Sequence, residues 1–407
     1  MPDPKIEGMD FPTTLVREGA ACLRVPEITQ REGEPLEQAR SRSPVFFNPR
    51  MRLNRDSAVL ALGVHQRRVS RQLTVCEPMC GTGVRGIRMA LESPGVERVV
   101  MGDMNPRAAR LATENAHLNG VSGRVAVRQM EANLLLSLHS RPLSRFDYVD
   151  IDPYGSPAPY LDEAVRACKR DGLLALTATD MAPLCGVNPR ACLRKYGGRP
   201  LRTGYCHESA LRLVAGALVT KAAVHEVSAR PVFSYSADHY VRLYMELERG
   251  KKKADLRLSE MGYMLHCFNC LDRGAVPSRK LFDSPWCERC GSPMKVAGPM
   301  WLGELAEEAF CDDMLMLSDR SAIGSNRRLI RVIQMVRGEI GFPQGFYGID
   351  KLCSKLKIPS RATGDVMVAL EEAGFRVART HIDERGLKTD APIGDLESVL
   401  KSVKADG

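Results

Sequence analysis

The chain has 407 residues, enough for two or three domains, and its 44% content of hydrophobic residues is enough to form buried cores. It contains no apolar run of 18 residues and no signal-peptide pattern, which excludes the membrane-spanning and secreted classes and predicts a cytoplasmic protein. The 13 cysteines argue against a disulfide framework, because their number is odd and the chain is long, and they indicate a reducing compartment. The net charge of +9 favours a polyanionic partner, although a solvated basic surface explains it equally well.

The N-terminal half alternates strand-like and helix-like segments. Residues 14–25 are typical of a strand pair, and a helix is expected to begin after Asn54, whose side chain is a candidate cap. Short apolar runs then alternate with amphipathic stretches, which predicts an α/β fold with a parallel sheet and helices on both faces. The predicted strands are Leu73–Glu77, Arg98–Gly102, Val125–Arg128, Phe146–Ile151 and Gly172–Thr177, and the predicted helices are Val84–Leu91, Pro106–Leu118 and Ala158–Lys169.

The end of this region differs from the βα pattern. A long predicted helix at Glu208–Ala223 is followed by two predicted strands, Val227–Tyr235 and Tyr240–Leu247. Such a strand pair is typical of an antiparallel edge added to an open parallel sheet, as in class I Rossmann-like methyltransferases. The charged run Gly250–Lys253 then breaks the pattern and predicts a linker.

The linker divides the chain into a predicted first domain at residues 1–250 and a smaller α+β domain at residues 251–407. In the second domain, residues 262–297 form a cysteine-bearing insert and residues 325–340 are predicted to be helical. Residues 349–389 show the order helix, turn, helix, strand, strand, which predicts a winged-helix-like unit. We find no internal repeats.

A glycine-rich loop after the first predicted sheet strand indicates a nucleoside-binding site. Glu77 ends the strand, and Gly81 and Gly83 allow the backbone to approach a ligand closely and to adopt positive φ angles. Acidic residues also end the next two strands, where a carboxylate can accept hydrogen bonds from ribose hydroxyls or an adenine amino group. These positions are Asp103, Glu131 and the neighbouring Ala132.

The same loop also fits a pyrophosphate-binding pattern, because Gly86 completes the spacing Gly-x-Gly-x-x-Gly. We favour S-adenosylmethionine over NAD or FAD because the next motif has no function in hydride transfer. Arg85 and Arg55 are candidates to bind the methionine carboxylate, since a guanidinium pairs with two oxygens at once. Surface salt bridges are an equally good explanation of both arginines.

The motif that favours methyl transfer is Asp152, Pro153 and Tyr154, which follows the apolar stretch Phe146–Ile151. The carboxylate and the proline carbonyl can accept hydrogen bonds from an exocyclic amine, and the carboxylate can take its proton during transfer. We expect Tyr154 to stack on the base and Phe46 to cover its other face. The alternatives are a helix cap for Asp152 and a core position for Phe46. The motif therefore predicts methylation of a nucleobase amine.

Two Cys-x-x-Cys pairs lie 16 residues apart in the second domain, and this spacing is typical of a structural zinc ribbon. Because all four ligands would be thiolates, no coordination position would remain for catalysis. A redox dithiol is the alternative, disfavoured because neither pair begins a helix after a strand. The four candidate ligands are Cys267, Cys270, Cys287 and Cys290.

Basic residues of the C-terminal region could follow nucleic-acid phosphates, although solvated helix faces explain each of them equally well. They are Lys280, Arg327, Arg328, Arg331, Lys351, Lys355, Lys357 and Arg361.

In this order, the motifs resemble the tRNA (guanine-N2-)-dimethyltransferases that act on guanosine 26. The resemblance covers nearly the whole chain, and the motifs are highly specific when taken together. They are residues 45–51, 54–56, 81–88, 150–157, 177–180, 206–208, 238–240, 298–303, 379–381 and 388–392.

The resemblance implies a class I methyltransferase domain followed by a domain that binds tRNA, with no obligate protein partner and no membrane. It implies that the catalytic residue is Asp152, with Phe46 and Tyr154 around the base. It also implies donor contacts from Arg55, Arg85, Asp103, Glu131 and Ala132. A base within folded tRNA would have to be swung out to reach this site.

The chain departs from the family pattern at three places. Glu77 and the pair Met79-Cys80 stand where Asp and Ser-Ala are usual, Tyr154 replaces Phe, and Glu131 replaces a frequent Asp. Two other functions remain open at this point. One is methylation of adenine N6 in DNA or of a protein amide, which would call for a second proline after Asp152. The other is a non-catalytic zinc-ribbon nucleic-acid binder.

Overall fold

The computed structural model describes residues 9–31, 33–278 and 286–404. The strands are β1 (Thr13–Glu18), β2 (Ala21–Pro26), β3 (Leu73–Glu77), β4 (Val96–Asp103), β5 (Val125–Gln129), β6 (Phe146–Ile151), β7 (Cys168–Ala178), β8 (Val227–Ala237), β9 (Tyr240–Arg249), β10 (Met261–His266), β11 (Arg273–Pro277), β12 (Lys295–Trp301), β13 (Tyr347–Gly348), β14 (Val377–Arg379) and β15 (Gly386–Thr389).

The helices are α1 (Leu36–Ser41), α2 (Arg52–Val69), α3 (Val84–Glu92), α4 (Pro106–Leu118), α5 (Ala132–Leu138), α6 (Leu161–Ala167), α7 (Met181–Leu184), α8 (Pro189–Tyr196), α9 (Cys206–Val224), α10 (Lys251–Ser259), α11 (Glu308–Asp319), α12 (Arg327–Gly338), α13 (Ile349–Leu356), α14 (Thr363–Glu372) and α15 (Ile393–Ser402). None of the helices in the described ranges combines the length and apolar composition that a bilayer crossing requires.

The main sheet has seven strands in the order β5-β4-β3-β6-β7-β9-β8. The strands from β5 to β7 run parallel, and β9 and β8 add an antiparallel edge. This confirms the predicted class I methyltransferase sheet. Since β3 and β6 are neighbours, the glycine-rich loop and the Asp152 segment leave the same edge of the sheet side by side.

Both faces of this sheet are covered, which explains its continuously apolar strands. Tyr148 of β6 packs into a core shared with α2, α3 and α4, whereas Val149 and Ile151 pack into a second core with α6 and α9. The hairpin β1–β2 lies on α4, where Asn115 accepts a hydrogen bond from the backbone N–H of Arg24 at 2.7 Å.

Residues 250–253 were expected to form a linker, but most of them belong to a helix in the structure. Strand β9 ends at Arg249, and α10 begins at Lys251 after a single glycine with φ of 145°. The three lysines therefore form the first turn of a helix. The two halves of the chain also pack together, because Arg68 of α2 pairs with Glu307 at 3.1 Å, just before α11. The domain boundary at residue 250 stays a prediction.

The C-terminal half contains two small three-stranded sheets. The first has the order β11-β10-β12, and the second has the order β13-β15-β14. Helices α13 and α14 and the second sheet follow the predicted winged-helix-like order, and α12 confirms the predicted helix at residues 325–340. Helix α11 was not predicted.

A buried ion pair stabilises the centre of the sheet. Arg242 on β9 donates to both carboxylate oxygens of Asp150 on β6, at 2.8 and 2.6 Å, and neither side chain is exposed. Burial opposes the charge of Asp150, but Arg242 and Arg85 outweigh burial and hold its pKa below the usual value.

We predict that Arg242→Ala lowers the free energy of unfolding by about 3–5 kcal/mol, because it leaves a buried carboxylate without its main partner. The measurement is urea denaturation followed by circular dichroism. Arg107→Ala is the matched control: Arg107 pairs with Asp10, both side chains are about half exposed, and its loss is expected to change stability by less than about 1 kcal/mol. Equal losses in the two variants would contradict the prediction.

Candidate active site and cysteine cluster

The glycine-rich loop connects β3 to α3 and needs its glycines. Gly81 and Gly83 have φ angles of 52° and 78°, in the left-handed region. A Cβ on Gly83 would lie 3.0 Å from the Cβ of Ala112 and 3.1 Å from the Cε of Met101. The loop therefore packs closely on α4 and β4, and its conformation requires glycine at both positions.

Two acidic residues that follow neighbouring strands accept hydrogen bonds from backbone N–H groups. Asp103, at the end of β4, accepts a hydrogen bond from the N–H of Gly81 at 2.9 Å. Glu131 caps α5 by accepting from Asn133 at 3.0 Å and from Leu134 at 2.9 Å. Asp103 and the loop are thus brought together as predicted, and Glu131 and Ala132 begin the helix beside them.

Glu77 is buried beneath the loop. Its Oε2 accepts a hydrogen bond from the N–H of Gly86 at 2.9 Å, and its Oε1 lies 3.3 Å from the Nε of Arg85. Burial, opposed by the charge of Arg85, raises the pKa of Glu77 to about 8. Glu77 joins the end of β3 to the first turn of α3, so its position favours a supporting function for the loop.

Arg85 links the loop to the acceptor motif. Its guanidinium is 3% exposed, forms an ion pair with Asp152, and donates to the Oδ1 of Asn54 at 2.8 Å. It also lies 3.6 Å from Asp150. The prediction that Asn54 caps a helix was wrong, because α2 begins at Arg52. The Asn54 side chain points inward instead, to Arg85 and to the hydroxyl of Thr177, which lies 3.2 Å away.

Arg55 belongs to a different cluster. It pairs with Glu18 of β1, donates to the carbonyl of Asn48 at 3.1 Å, and lies over the ring of Phe47. Burial opposes the charge of Glu18, but its bonds to Arg55 and Arg88 prevail and lower its pKa. The structure therefore does not bring Arg55 to the ion pair between Arg85 and Asp152. A contact between Arg55 and the methyl donor stays a prediction.

The acceptor motif lies at the end of β6. The Asp152 side chain is 19% exposed, and Tyr154 and Phe46 are exposed beside it. The two ring centroids are 6.2 Å apart, but the ring planes meet at 78°. A base held between two aromatic rings needs them parallel, so one ring has to turn for both to stack.

Residues for which no function was predicted support the acceptor motif through hydrogen bonds. The N–H of Gly155 donates to the hydroxyl of Thr179 at 2.8 Å. Ser156 donates to the hydroxyl of Tyr196 at 2.7 Å, and Tyr196 donates to Asp180 at 2.6 Å. The sequence contained a signal for Thr179 and Asp180, because residues 177–180 are one of the motifs that carry the resemblance.

The alternative function of Asp152 as a helix cap is not seen. The N–H of Ala158 donates instead to the hydroxyl of Ser156, at 3.3 Å. Asp152 is thus available to a ligand on the side that Arg85 does not occupy.

The four predicted metal ligands meet beside the first small sheet, in turns that lie outside its strands. Their Sγ atoms all lie within 4.8 Å of one another, with 3.5 Å between Cys267 and Cys290 and 3.4 Å between Cys270 and Cys287. Each pair closes an equivalent turn, in which Leu271 donates to the Cys267 carbonyl and Gly291 donates to the Cys287 carbonyl, both at 2.8 Å. The four thiols form one cluster that could bind zinc, which disfavours separate redox pairs.

The predicted basic residues differ in their surroundings. Lys280 lies outside the described residues. Arg361 is buried and donates to the Leu400 carbonyl, Arg328 pairs with Asp238, and Lys355 donates to the Asn269 carbonyl. The remaining four are exposed: Arg327, Arg331, Lys351 and Lys357.

Comparison with known proteins decides the family. The family of N2,N2-dimethylguanosine tRNA methyltransferases matches residues 19–401. The chain belongs to this family. A tRNA (guanine(26)-N(2))-dimethyltransferase of Methanothermobacter thermautotrophicus is 39% identical over 95% of this chain and 98% of the relative. An Aquifex aeolicus tRNA (guanine(26)-N(2)/guanine(27)-N(2))-dimethyltransferase is 34% identical over 96% of this chain and 95% of the relative.

A solved structure agrees. The complex of Trm1 from Pyrococcus horikoshii with S-adenosyl-L-methionine aligns with a TM-score of 0.83 and 31% identity, over 95% of this chain and 99% of that chain. The predicted family is confirmed. As a member of it, the protein is an S-adenosylmethionine-dependent tRNA methyltransferase, and the nicotinamide, protein-amide and non-catalytic functions are not favoured.

We predict a pH-dependent effect of Glu77→Gln. Because the pKa of Glu77 is about 8 in the folded protein and the ordinary value is 4.5, the folded state retains the proton, and the contribution of Glu77 to stability falls as pH rises from 4.5 to 8. Thermal unfolding at several pH values should show that the melting temperature of Glu77→Gln rises relative to that of the wild type as the pH increases over this range.

Glu18→Gln is the matched control with the opposite sign. The pKa of Glu18 is lowered in the folded protein, so this variant should be less stable than the wild type above pH 4.5. Parallel pH profiles for Glu77→Gln and the wild type would show that Arg85 keeps Glu77 ionised.

Proposed function

We propose that the protein transfers one and then two methyl groups from S-adenosylmethionine to the exocyclic N2 of guanosine 26 in tRNA, with Asp152 as the catalytic residue. The ion pair between Arg85 and Asp152 is the observation that carries the assignment of the site. Arg85 lies in the first turn of the helix that follows the glycine-rich loop, and Asp152 follows the adjacent strand. This pair supports the proposal, because it joins the glycine-rich loop region to the Asp152 carboxylate.

The residues at the sheet edge fit the donor. The glycine-rich loop has positive φ angles at Gly81 and Gly83, and Asp103 is half-buried beside it. We infer that these residues, with Glu131 and Ala132, bind the nucleoside portion. For the methionine carboxylate we favour Arg85, which follows the glycine-rich loop, and Arg55 is a more distant candidate. The donor supplies an electrophilic methyl group on a sulfonium.

Asp152 and Pro153 act on the amine. The guanine N2 is a weak nucleophile, because its lone pair is delocalised into the ring. Hydrogen bonds to the Asp152 carboxylate and the Pro153 carbonyl would orient the amino group, and Asp152 would accept the proton that the nitrogen loses. Most of the acceleration would come from alignment of nitrogen and methyl carbon. Arg85 holds the carboxylate in place during this step.

The substrate has to present its base to this edge. We infer that guanosine 26 leaves its stack and enters beside Tyr154, and that Phe46 covers the other face after one ring turns. The exposed residues Arg327, Arg331 and Lys357 would contact tRNA phosphates. A tRNA substrate also favours the cytoplasm as the compartment, and no protein partner is needed for the reaction as proposed.

We also propose that the four-cysteine cluster binds one structural zinc ion. Three of its thiols are buried, and the two turns present all four to a common point. In the described residues, the hydrophobic contacts around the cluster are limited to three buried cysteines and the half-buried Met294, so a metal would supply stability that this end of the β11-β10-β12 sheet lacks. The second domain, at residues 251–407, would thus combine a zinc ribbon with the winged-helix-like unit to hold the tRNA.

The test of the activity is incubation of the protein and isotopically methyl-labelled S-adenosylmethionine with tRNA, followed by mass spectrometry of nucleosides. We expect N2-methylguanosine first and N2,N2-dimethylguanosine later, at position 26. A tRNA with adenosine at position 26 is the matched control and should stay unlabelled. Label at another position, or a time course that ends at the monomethyl product, would contradict the proposal.

We predict that Asp152→Ala lowers methyl transfer by about 10²–10⁴-fold, because it removes the group that receives the amine proton. Isothermal titration calorimetry should show donor binding close to that of the wild type. Asp255→Ala, on the exposed face of α10, is the control and should retain full activity. Loss of donor affinity in Asp152→Ala would instead indicate that Asp152 supports the fold through Arg85.

We predict that the double variant Cys287→Ser and Cys290→Ser loses zinc and unfolds at a lower temperature, because two of four ligands are removed. Atomic spectroscopy should find about one zinc per wild-type chain and none in the variant, consistent with a single tetrahedral site. Cys22→Ser, at a half-buried position of β2 outside the cluster, should keep both its metal and its melting temperature. Unchanged metal content in the double variant would refute the zinc site.

A further inference from the structure

A second group of thiols lies near the acceptor motif, apart from the four-cysteine cluster. The Sγ atoms of Cys185 and Cys206 and a ring nitrogen of His207 all lie within 4.8 Å of one another, and the three side chains are half-buried. Cys185 follows α7, and Cys206 begins α9, a helix of 19 residues. Neither cysteine has a function in the proposed methyl transfer.

The surroundings of Cys206 favour a thiolate. A hydrogen bond from Cys185 lowers the pKa of Cys206 to about 7, with help from the Lys351 ammonium and the backbone N–H groups at the start of α9. The same hydrogen bond and burial raise the pKa of Cys185. One thiol of the pair is therefore activated as a nucleophile, and its neighbour carries the proton.

The same surroundings disfavour a metal ion. A cation at this place would lie beside the N-terminus of α9, where the helix dipole is positive, and near the ammonium of Lys351. Helix termini of this polarity stabilise anions. Both effects stabilise a thiolate and repel a bound metal, so the cluster is better suited to chemistry at sulfur.

We propose that Cys206 and Cys185 form a peroxide-sensitive dithiol, in which Cys206 is oxidised first and Cys185 resolves it to a disulfide. The Cys206 thiolate would attack hydrogen peroxide, forming an S–O bond as the O–O bond breaks, and the hydroxide released takes a proton to become water. The Cys185 thiol would then attack the sulfenic acid, forming the S–S bond and releasing a second water. Two thiols are oxidised and one peroxide is reduced, and a dithiol reductant reverses the change.

The position of the pair gives this oxidation a consequence for methylation. Cys185 closes α7, which directly follows Asp180. Asp180 accepts a hydrogen bond from the hydroxyl of Tyr196, and that hydroxyl accepts one from Ser156, which supports the acceptor motif. A disulfide needs the sulfurs about 2.05 Å apart, so its formation would pull α7 toward α9. The disulfide itself does not depend on the proposed function, but its effect on methyl transfer does.

The experiment treats the full-length protein with hydrogen peroxide, alkylates the remaining thiols and maps the peptides by mass spectrometry. We expect a peptide pair cross-linked through Cys185 and Cys206, and a several-fold loss of methyl transfer that dithiothreitol restores. In Cys185→Ser, a dimedone adduct should accumulate on Cys206 and no cross-link should form. In Cys22→Ser, the half-buried control thiol outside both cysteine clusters, the cross-link should form as in the wild type.

Three results would overturn the proposal. Full alkylation of Cys206 after peroxide treatment would exclude the reactive thiol. Metal bound by wild type and lost in Cys206→Ser, measured by atomic spectroscopy, would make the cluster a metal site. A cross-link without any change in methyl transfer would refute the coupling to the acceptor motif. An untreated protein without methyltransferase activity would instead count against the proposed function, because the cross-link is measured separately.

Discussion

The arrangement of the candidate site depends on one buried guanidinium. Arg85 lies in the first turn after the glycine-rich loop, and it contacts Asp152, Asn54 and Glu77 at the same time. A charge that is 3% exposed needs partners of opposite sign, and here the acceptor motif supplies one of them. The loop that would bind the donor and the carboxylate that would bind the amine are therefore not independent. Displacement of Asp152 would remove one of the acidic partners of this buried charge.

Local sequence patterns predicted the parts of this arrangement but not the connections between them. The apolar run at residues 146–151 predicted a buried strand, and the glycines predicted a loop with positive φ angles. Both features lie where they were expected. Asn54 was expected to cap a helix, because its local pattern permits that. A short turn at Pro49–Met51 leads into α2 earlier than expected, and Asn54 is buried against Thr177, a partner 123 residues away. The pattern of neighbouring residues carries no information on such a partner.

The net charge was also a weak guide, because it does not tell buried arginines from exposed ones. Arg88 is fully buried and contacts Glu18, Asp56 and Glu92, each within 3 Å. Arg242 is likewise buried against its carboxylate. These arginines balance acids inside the fold and contribute little field at the surface. The basic residues available to a polyanion are a subset that only the three-dimensional structure separates from the rest, as the contrast between buried Arg361 and exposed Arg331 shows.

Another buried ion pair joins the C-terminal half to α9. Lys388 of β15 donates to Glu208 of α9 at 2.8 Å, and the N–H of Gly345 donates to the same carboxylate at 2.8 Å. Burial opposes the charge of Glu208, but Lys388 and Arg212 outweigh it and lower its pKa. Separating β15 from α9 would remove the acid nearest to Lys388 and leave Glu208 with Arg212 of the same helix, at 2.8 Å. Since α9 begins beside the segment that supports the acceptor motif, the winged-helix-like unit is held at a defined distance from Asp152. Under the proposed function, this ion pair would set the distance between tRNA bound by that unit and Asp152.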